Sequence, residues 1–507
     1  MINCKYQKKE DDKLICTHTH QVPTNKIIEI SECKKCDWRV IEEKKKSKKK
    51  PLTNHRYTSL YINEEDGIIA EQVYNDLSKF AVYDSKTDEV TYQDNIIEGD
   101  LTYHPLFGEE IEKRAILLST EAEDYGTDEQ LDEHIRQFIN IWLDIPEDFL
   151  QFAIWNIKRS WIYEKFHTLN YLKALGDTGQ GKSRFLDTLG LIHYKPIKTS
   201  GATTPAPIFR IIDKWRGTLI MDEADFQKSD EAQDIIKIIN QGYEKGNHIM
   251  RCDTDDKNKI KFFDPYCPKI LATRRSFYDK AVESRCITKV MTGTFNRNIP
   301  VNLNRYFFEA AQKIRNMLLM WRFRNYFKID PVKEVEFDSE GLEPRVMQIV
   351  NSFISLFADD EIKLRDFKEF IHNYQDDIID ERRNSFEGAI VEAIYTLIES
   401  GEVYISSKDI VKVSELDIKP RSLSSKLKAL GFKKNELKRV DGKVKRCIPI
   451  EENHIKNLFQ RYGFKCNDVT IVTDYKVNTK KCNGVTVVTD YKVNTKKNKE
   501  VIEEDVL

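Results

Sequence analysis

The sequence predicts an α/β fold, a parallel sheet assembled around a phosphate-binding loop. Three observations predict it. Gly176-Asp177-Thr178-Gly179-Gln180-Gly181-Lys182-Ser183 completes the pattern G-x-x-x-x-G-K-S. It sits between Tyr171–Leu175, short and apolar enough for a buried strand, and Arg184–Leu189, which reads as a helix. Further on, Thr218-Leu219-Ile220-Met221-Asp222-Glu223 is a second apolar run, ending in two carboxylates.

Each residue type has a task in that setting. The glycines let backbone N–H groups turn inward around phosphate oxygens, and the helix N-terminus adds the positive end of its dipole. Lys182 is the residue to reach the β- and γ-phosphates of ATP, and the Ser183 hydroxyl the one to bind Mg²⁺. A buried parallel strand delivers its last residues at its C-terminal edge. Asp222 there is expected to hold Mg²⁺, directly or through water, and Glu223 to polarise the attacking water.

The remaining composition sets bounds. A chain of 507 residues suggests roughly three or four domains. Apolar residues make up 40% and charged residues 32%, enough for real cores under a polar surface. The net charge of −2 leaves no global nucleic-acid signature, so any basic surface is local. No apolar run approaches the eighteen or so residues of a membrane span. Met1-Ile2-Asn3-Cys4-Lys5 lacks a signal-peptide core, and the expected location is cytoplasmic and reducing. The 10 cysteines then read as thiols or metal ligands rather than disulfides.

Residues 1–42 hold Cys4, Cys16, Cys33 and Cys36. Cys33-Lys34-Lys35-Cys36 has the spacing of a tetrahedral zinc knuckle. Cys4 and Cys16 are poorly spaced for one, and His18 or His20 is an alternative ligand. A zinc-ribbon-like module and a set of unligated thiols both stand. A segment this short rarely buries enough core to fold unaided. Residues 43–52 carry Lys44-Lys45-Lys46-Ser47-Lys48-Lys49-Lys50, a self-repelling linker that is either simply solvated or also touches phosphates. Residues 53–168 begin with strand-like runs, among them Phe80–Asp84 and Glu89–Tyr92 as a hairpin around 85–88. They end in helices with apolar stripes at Ile135, Phe138, Ile139 and Trp142, and at Phe149, Phe152, Ala153 and Ile157.

The nucleotide-binding core spans 169–330. After the acidic strand come a helix-like stretch from Ile236, a hairpin with arms 247–251 and 259–263, and the strand Lys269-Ile270-Leu271-Ala272-Thr273. Arg285 follows a short amphipathic segment. An arginine so placed either points across a subunit boundary into a neighbour's ATP or pairs with Glu283 on the surface. Residues 169–292 resemble the ATPase module of the AAA+ class, specifically its superfamily 3 helicase branch of viral and mobile-element replication proteins. That resemblance rests on Gly176–Ser183, Asp222-Glu223, segment 236–263, Ile270–Thr273 and Arg285. It implies a γ-phosphate sensor at Thr273, with Arg274 as the alternative, and a DNA-gripping hairpin whose nearest lysines are Lys257 and Lys259. It also implies a ring, most simply a hexamer, in which Arg285 serves the next subunit. Two positions depart from the family pattern: Gly179 or a neighbour, and Thr273, stand where Asn is usual. Segment 200–207 also resembles proteins of phages and integrated elements. Residues 301–330 read as a helical lid.

Residues 343–450 are helical and close with Ala389–Ile398, Ser407–Val413, Arg421–Leu430 and a hairpin at Asp441-Gly442. Three helices and a β-hairpin resemble a winged helix. Arg421, Lys426 and Lys428, with Lys438, Arg439, Lys443, Lys445 and Arg446, give a basic stripe for DNA; packing on protein is the other reading. Residues 451–507 hold a helix and a direct repeat, Cys466–Lys481 and Cys482–Lys497, read as disordered or as a partner-binding tail. The sequence therefore predicts an ATPase using ATP and Mg²⁺, with Zn²⁺ at the N-terminal cysteines, and DNA and further copies of itself as partners. Replication partners would be engaged through the termini. Two functions fit: a motor that unwinds DNA, or an ATP-gated initiator, loader or regulator that does not unwind processively.

Overall fold

The structure is a computed structural model. It describes residues 7–10, 13–16, 26–27 and 54–464, apart from 201, 225–229, 254–258, 333–336, 338, 358–359, 418–419 and 441. Cys4, Cys33, Cys36, the lysine run, Lys257 and the tail repeat lie outside the described residues, as does the side chain of Cys16. Among the described residues, no group of three His, Cys, Asp or Glu side chains is placed to hold a metal ion. No described helix is long and apolar enough to cross a membrane. The chain divides into two compact units, 1–372 and 373–507.

The first unit opens with a small antiparallel sheet, β1 (Gln7–Glu10), β2 (Lys13–Cys16) and β3 (Lys26–Ile27). Seven strands follow: β4 (Asn54–Thr58), β5 (Leu60–Asn63), β6 (Ile68–Asn75), β7 (Leu77–Asp84), β8 (Glu89–Gln93), β9 (Ile96–Glu98) and β10 (Leu101–Pro105). They form an antiparallel meander β5-β6-β7-β8 and a three-stranded sheet β4-β10-β9. The hairpin read from the sequence is β7–β8, with Ala81 opposite Tyr92. After the one-turn α1 (Glu109–Glu112) come α2 (Asp128–Trp142) and α3 (Glu147–Ser160). Thr127 caps α2 through a reciprocal box with Gln130, which satisfies donors that the helix start would otherwise leave bare.

The core follows in order: β11 (Tyr171–Leu175), α4 (Lys182–Gly190), β12 (Ile197–Ser200), α5 (Pro205–Trp215), β13 (Leu219–Asp222) and α6 (Asp230–Gln241). Then come β14 (Ile249–Cys252), β15 (Ile260–Phe263), β16 (Lys269–Thr273), α7 (Lys280–Glu283) and β17 (Cys286–Val290). Five of these strands make one sheet in the order β12-β13-β16-β11-β17, every pair parallel. A parallel sheet is covered on both faces, which is why its strands read as near-continuous apolar runs. Two lysines break those runs and are fully buried. Lys173 in β11 pairs with Glu283. Lys269 in β16 donates to the carbonyls of Gly242, Pro265 and Cys267 at 3.0–3.2 Å.

The 22-residue helix α8 (Arg305–Tyr326) is not placed as the lid expected from the sequence. It packs on α2, Phe307 meeting Phe138 and Trp142 with ring centroids 5.3 and 5.2 Å apart, and on the meander, Phe323 stacking on Tyr83 at 5.4 Å. Its Arg322, 0% exposed, explains the placement. The guanidinium lies 2.7 Å from Glu71 of β6 and 2.9 Å from Glu164. Glu71 also holds Lys195 at 2.7 Å and accepts from the Tyr194 hydroxyl at 2.8 Å. Two cations and two carboxylates cancel in a dry interior, fixing the helix to the meander and to the start of β12. The unit continues through α9 (Pro344–Asn351) into α10 (Glu361–Arg383), within which the division at 372 falls.

The second unit adds α11 (Phe386–Glu399), α12 (Ser407–Ser414), α13 (Pro420–Ala429), the hairpin β18 (Glu436–Val440) and β19 (Lys443–Cys447), and α14 (Glu452–Arg461). Ile390, Ile394, Ile410, Leu423, Leu427, Ile448 and Phe459 share its core. Gly401, at φ 89°, ends α11 with the Glu402 N–H returning to the Leu397 carbonyl at 3.0 Å, a conformation that favours glycine.

Glu71→Leu leaves Arg322 and Lys195 short of a buried counter-charge. We expect a loss of about 3–5 kcal/mol, read as a lower melting temperature, against little change for an exposed control such as Glu89→Gln.

Candidate nucleotide site

The loop Gly176–Gly181 joins the C-terminal end of β11 to the start of α4. Its geometry is one that only glycine supplies at two points. Gly181 is left-handed at φ 87° and caps α4. A Cβ on Gly176 would stand 2.6 Å from the carbonyl oxygen of Met291, a backbone atom that cannot swing away. The Gly176 N–H donates to the Thr273 carbonyl at 3.2 Å, so the loop is tied to both neighbouring strands. Asp177, Thr178, Gly179 and Ser183 are exposed. The first N–H groups of α4 have no carbonyl within the helix to bond, and they open onto this exposed surface.

Lys182 Nζ donates to the Asp177 carbonyl at 2.7 Å, across its own loop. Ser183 Oγ donates to Asp222 Oδ2 at 2.8 Å, joining the start of α4 to the end of β13. The other Asp222 oxygen accepts from the Glu223 N–H at 2.8 Å. Glu223 has φ 53°, a left-handed backbone costing a non-glycine residue roughly 1–2 kcal/mol. Strain of this kind is kept where a side chain has to be aimed. The Glu223 side chain is 71% exposed, with Arg274 3.8 Å away, a distance and exposure that leave the carboxylate free to turn.

Thr273 ends β16, which lies between β11 and β13, and pairs with Leu175. It is 0% exposed, and its hydroxyl oxygen has no hydrogen-bond partner. A buried hydroxyl without a partner costs on the order of 1–3 kcal/mol. Gly176, Lys182, Ser183, Asp222, Glu223 and Thr273 thus gather at one edge of the sheet.

Arg285 is elsewhere. It precedes β17, and Tyr171 pairs with Cys286 at the start of that strand. Arg285 is therefore at the N-terminal edge, a strand's length of about 16 Å from its own phosphate loop. The expected surface pair with Glu283 is not formed, because Glu283 serves buried Lys173 and accepts from the Phe277 N–H at 2.8 Å. Arg285 instead donates to Asn240 at 2.5 Å and lies 5.0 Å from the Tyr243 ring centroid.

The hairpin read between 247 and 263 is β14–β15, with Arg251 opposite Lys261. Lys259 is exposed at its open end. In the second unit, Lys428, Arg439, Lys443 and Arg446 are exposed, whereas Lys426 is held by Glu387 and Lys445 by Asp409, each at 2.8 Å. The side chain of Arg421 lies outside the described residues.

Sequence reasoning missed the segment after β17. Its Met291 N–H donates to the Leu175 carbonyl at 2.7 Å, and a Cβ on Gly293 would stand 2.7 Å from the Gln180 amide oxygen. Arg184, just past the loop, donates to the carbonyls of Pro300 and Val301 at 2.9 and 2.6 Å. The one local signal was the glycine following an alternating strand.

The donor set fits a Mg-nucleotide. Ser183 and Asp222 are hard oxygen ligands of the type Mg²⁺ takes, beside exposed helix-start amides and Lys182 for phosphates. Bound Mg²⁺ would supply charge neutralisation on the phosphate oxygens. Asp222 would hold the ion, and Glu223 would take a proton from water. Glu223→Gln should keep nucleotide binding and lower turnover about 100-fold or more, measured by phosphate release. Lys182→Ala should abolish release.

No protein-family model and no curated protein sequence matches the chain. Among solved structures, the C-terminal region of NrS-1 aligns at 13% identity with a TM-score of 0.36, covering 76% of this chain and 97% of that one. SCCmec type IV Cch, described as an active helicase, aligns at 11% and 0.36, covering 81% and 73%. The RuvB Holliday junction branch migration motor of Thermotoga maritima aligns at 12% and 0.19, covering 63% and 95%. Identities and TM-scores this low say nothing of function, which rests on the chain's own residues.

Proposed function

We propose that the chain is an ATP-hydrolysing DNA motor that works as a ring of identical subunits, a helicase in the replication of a virus or mobile element. The Ser183–Asp222 contact carries the ATPase part of this reading, because it brings a phosphate-loop hydroxyl and an acidic strand end to one point. Glu223 then acts as the base, Thr273 as the γ-phosphate sensor, and Lys182 on the phosphates. Arg285 supports the ring. It sits at the opposite edge of the sheet from its own loop, so the triphosphate it can reach belongs to a neighbour. The β14–β15 hairpin, with Lys259 and Lys257, tracks single-strand phosphates. The second unit, with three helices, a hairpin and exposed Lys428, Lys443 and Arg446, serves as a winged helix on duplex DNA. An N-terminal zinc ribbon on Cys4, Cys16, Cys33 and Cys36 completes the proposal.

The test uses two inactive variants. Arg285→Ala and Lys182→Ala should each lack ATPase activity alone. In a random one-to-one mixture about a quarter of head-to-tail interfaces join an intact loop to an intact arginine, and activity should return in that proportion. Single-stranded DNA should stimulate the wild type, and Lys259→Ala should blunt the stimulation while ATP still binds. Full activity of Arg285→Ala alone would overturn the ring, and ATPase indifferent to DNA would overturn the motor.

A further inference from the structure

The three-stranded sheet β4-β10-β9 has two unlike faces. On one, Ile96 and Tyr103 join Ala70 and Phe80 in a small core. The register sets Thr102 opposite His55, His104 opposite Tyr57 and Thr102 opposite Ile97. Side chains alternate along a strand, so these residues share the other face. There His55 Nδ1 lies 2.8 Å from His104 Nε2, with ring centroids 5.0 Å apart. Tyr57 lies 5.5 Å from His104 and 5.4 Å from Phe107, the latter edge-on. The result is a strip of four rings, His55, His104, Tyr57 and Phe107. Tyr57 is 56% exposed and Phe107 71%.

Exposed rings alone do not name an occupant, but two further observations do. No carboxylate stands on this face: Glu98 belongs to the other, its oxygens accepting from the hydroxyls of Tyr61 and Tyr103. In the sequence, six lysines between Lys44 and Lys50 precede β4. From Lys50 to Asn54 the covalent chain reaches at most about 14 Å, so this positive charge is tethered beside the strip. Rings with polar edges, no competing anion and tethered lysines match the chemistry of unpaired nucleobases on a phosphate backbone. A protein partner would be met by aliphatic side chains, of which the face has only Ile97.

We propose that this strip is a stacking platform for single-stranded nucleic acid. It is separate from the nucleotide site and does not depend on it. Bases stack on Tyr57, Phe107 and the histidine pair, while phosphates meet lysine.

The experiment measures fluorescence anisotropy of a labelled oligo-dT on the full chain, without nucleotide. A second probe is an abasic oligonucleotide of equal length, which keeps the phosphates and lacks the bases. Tyr57→Ala/Phe107→Ala should weaken oligo-dT binding by about tenfold or more and leave abasic binding unchanged. Tyr57→Phe/Phe107→Tyr should bind like the wild type. ATP binding, read separately, checks that the double variant is folded and keeps this test apart from that of the ATPase. Unchanged oligo-dT affinity would overturn the proposal, as would equal losses on both probes. A drop in oligomeric mass with oligo-dT binding intact would assign the face to contact between copies and overturn it equally.

Discussion

Ser183 and Asp222 are far apart in the chain and share one hydrogen bond, and the architecture of the core is what that bond requires. Ser183 belongs to the helix after β11 and Asp222 to the end of β13, with β16 running between. Their side chains meet at 2.8 Å because three adjacent strands run parallel and finish level. Parallel strands need long crossover connections. Those crossovers cover both sheet faces with helices and send every strand end to one edge, where ligands of open α/β sheets bind. Thr273 reaches the site by the same rule. Arg285 is kept from it by the same rule, because it precedes its strand.

The price of this placement is a set of polar groups in dry surroundings. Lys173 and Lys269 sit within the sheet itself and are silenced locally, one by Glu283 and the other by three carbonyls. Arg322, Glu71, Glu164 and Lys195 form a neutral cluster that ties α8 and the meander to the core. Such clusters add little net stability over apolar packing, and losing one member is costly. They fix geometry, and the segment after β17 does likewise by backbone contact, its Met291 closing on the Gly176 side of the loop.

What was legible in the sequence was local chemistry. The glycine spacing, the apolar run ending in Asp222-Glu223 and the alternating hairpins at β7–β8, β14–β15 and β18–β19 all report on short stretches, and the structure contains these elements. Contacts across the chain were not legible. Residues 301–330 read as a free helix because nothing local shows that Arg322 answers to Glu71, 251 positions earlier (322 − 71). Arg285 read as a partner for Glu283 because they are neighbours. Buried Lys173 has no water to fall back on and takes that carboxylate. His55 and His104 carry no joint signal until the parallel pairing of β4 with β10 sets them together.

The central claim is that a magnesium-bound triphosphate occupies the cradle between the glycine loop and the acidic strand end. Calorimetric titration of ATP into the purified chain, with and without Mg²⁺, tests it most directly. The account predicts saturable binding of one ATP per chain that Mg²⁺ strengthens in the wild type and no longer strengthens in Ser183→Ala/Asp222→Asn. No measurable affinity for any nucleoside triphosphate, or affinity indifferent to Mg²⁺ and to both substitutions, would contradict it.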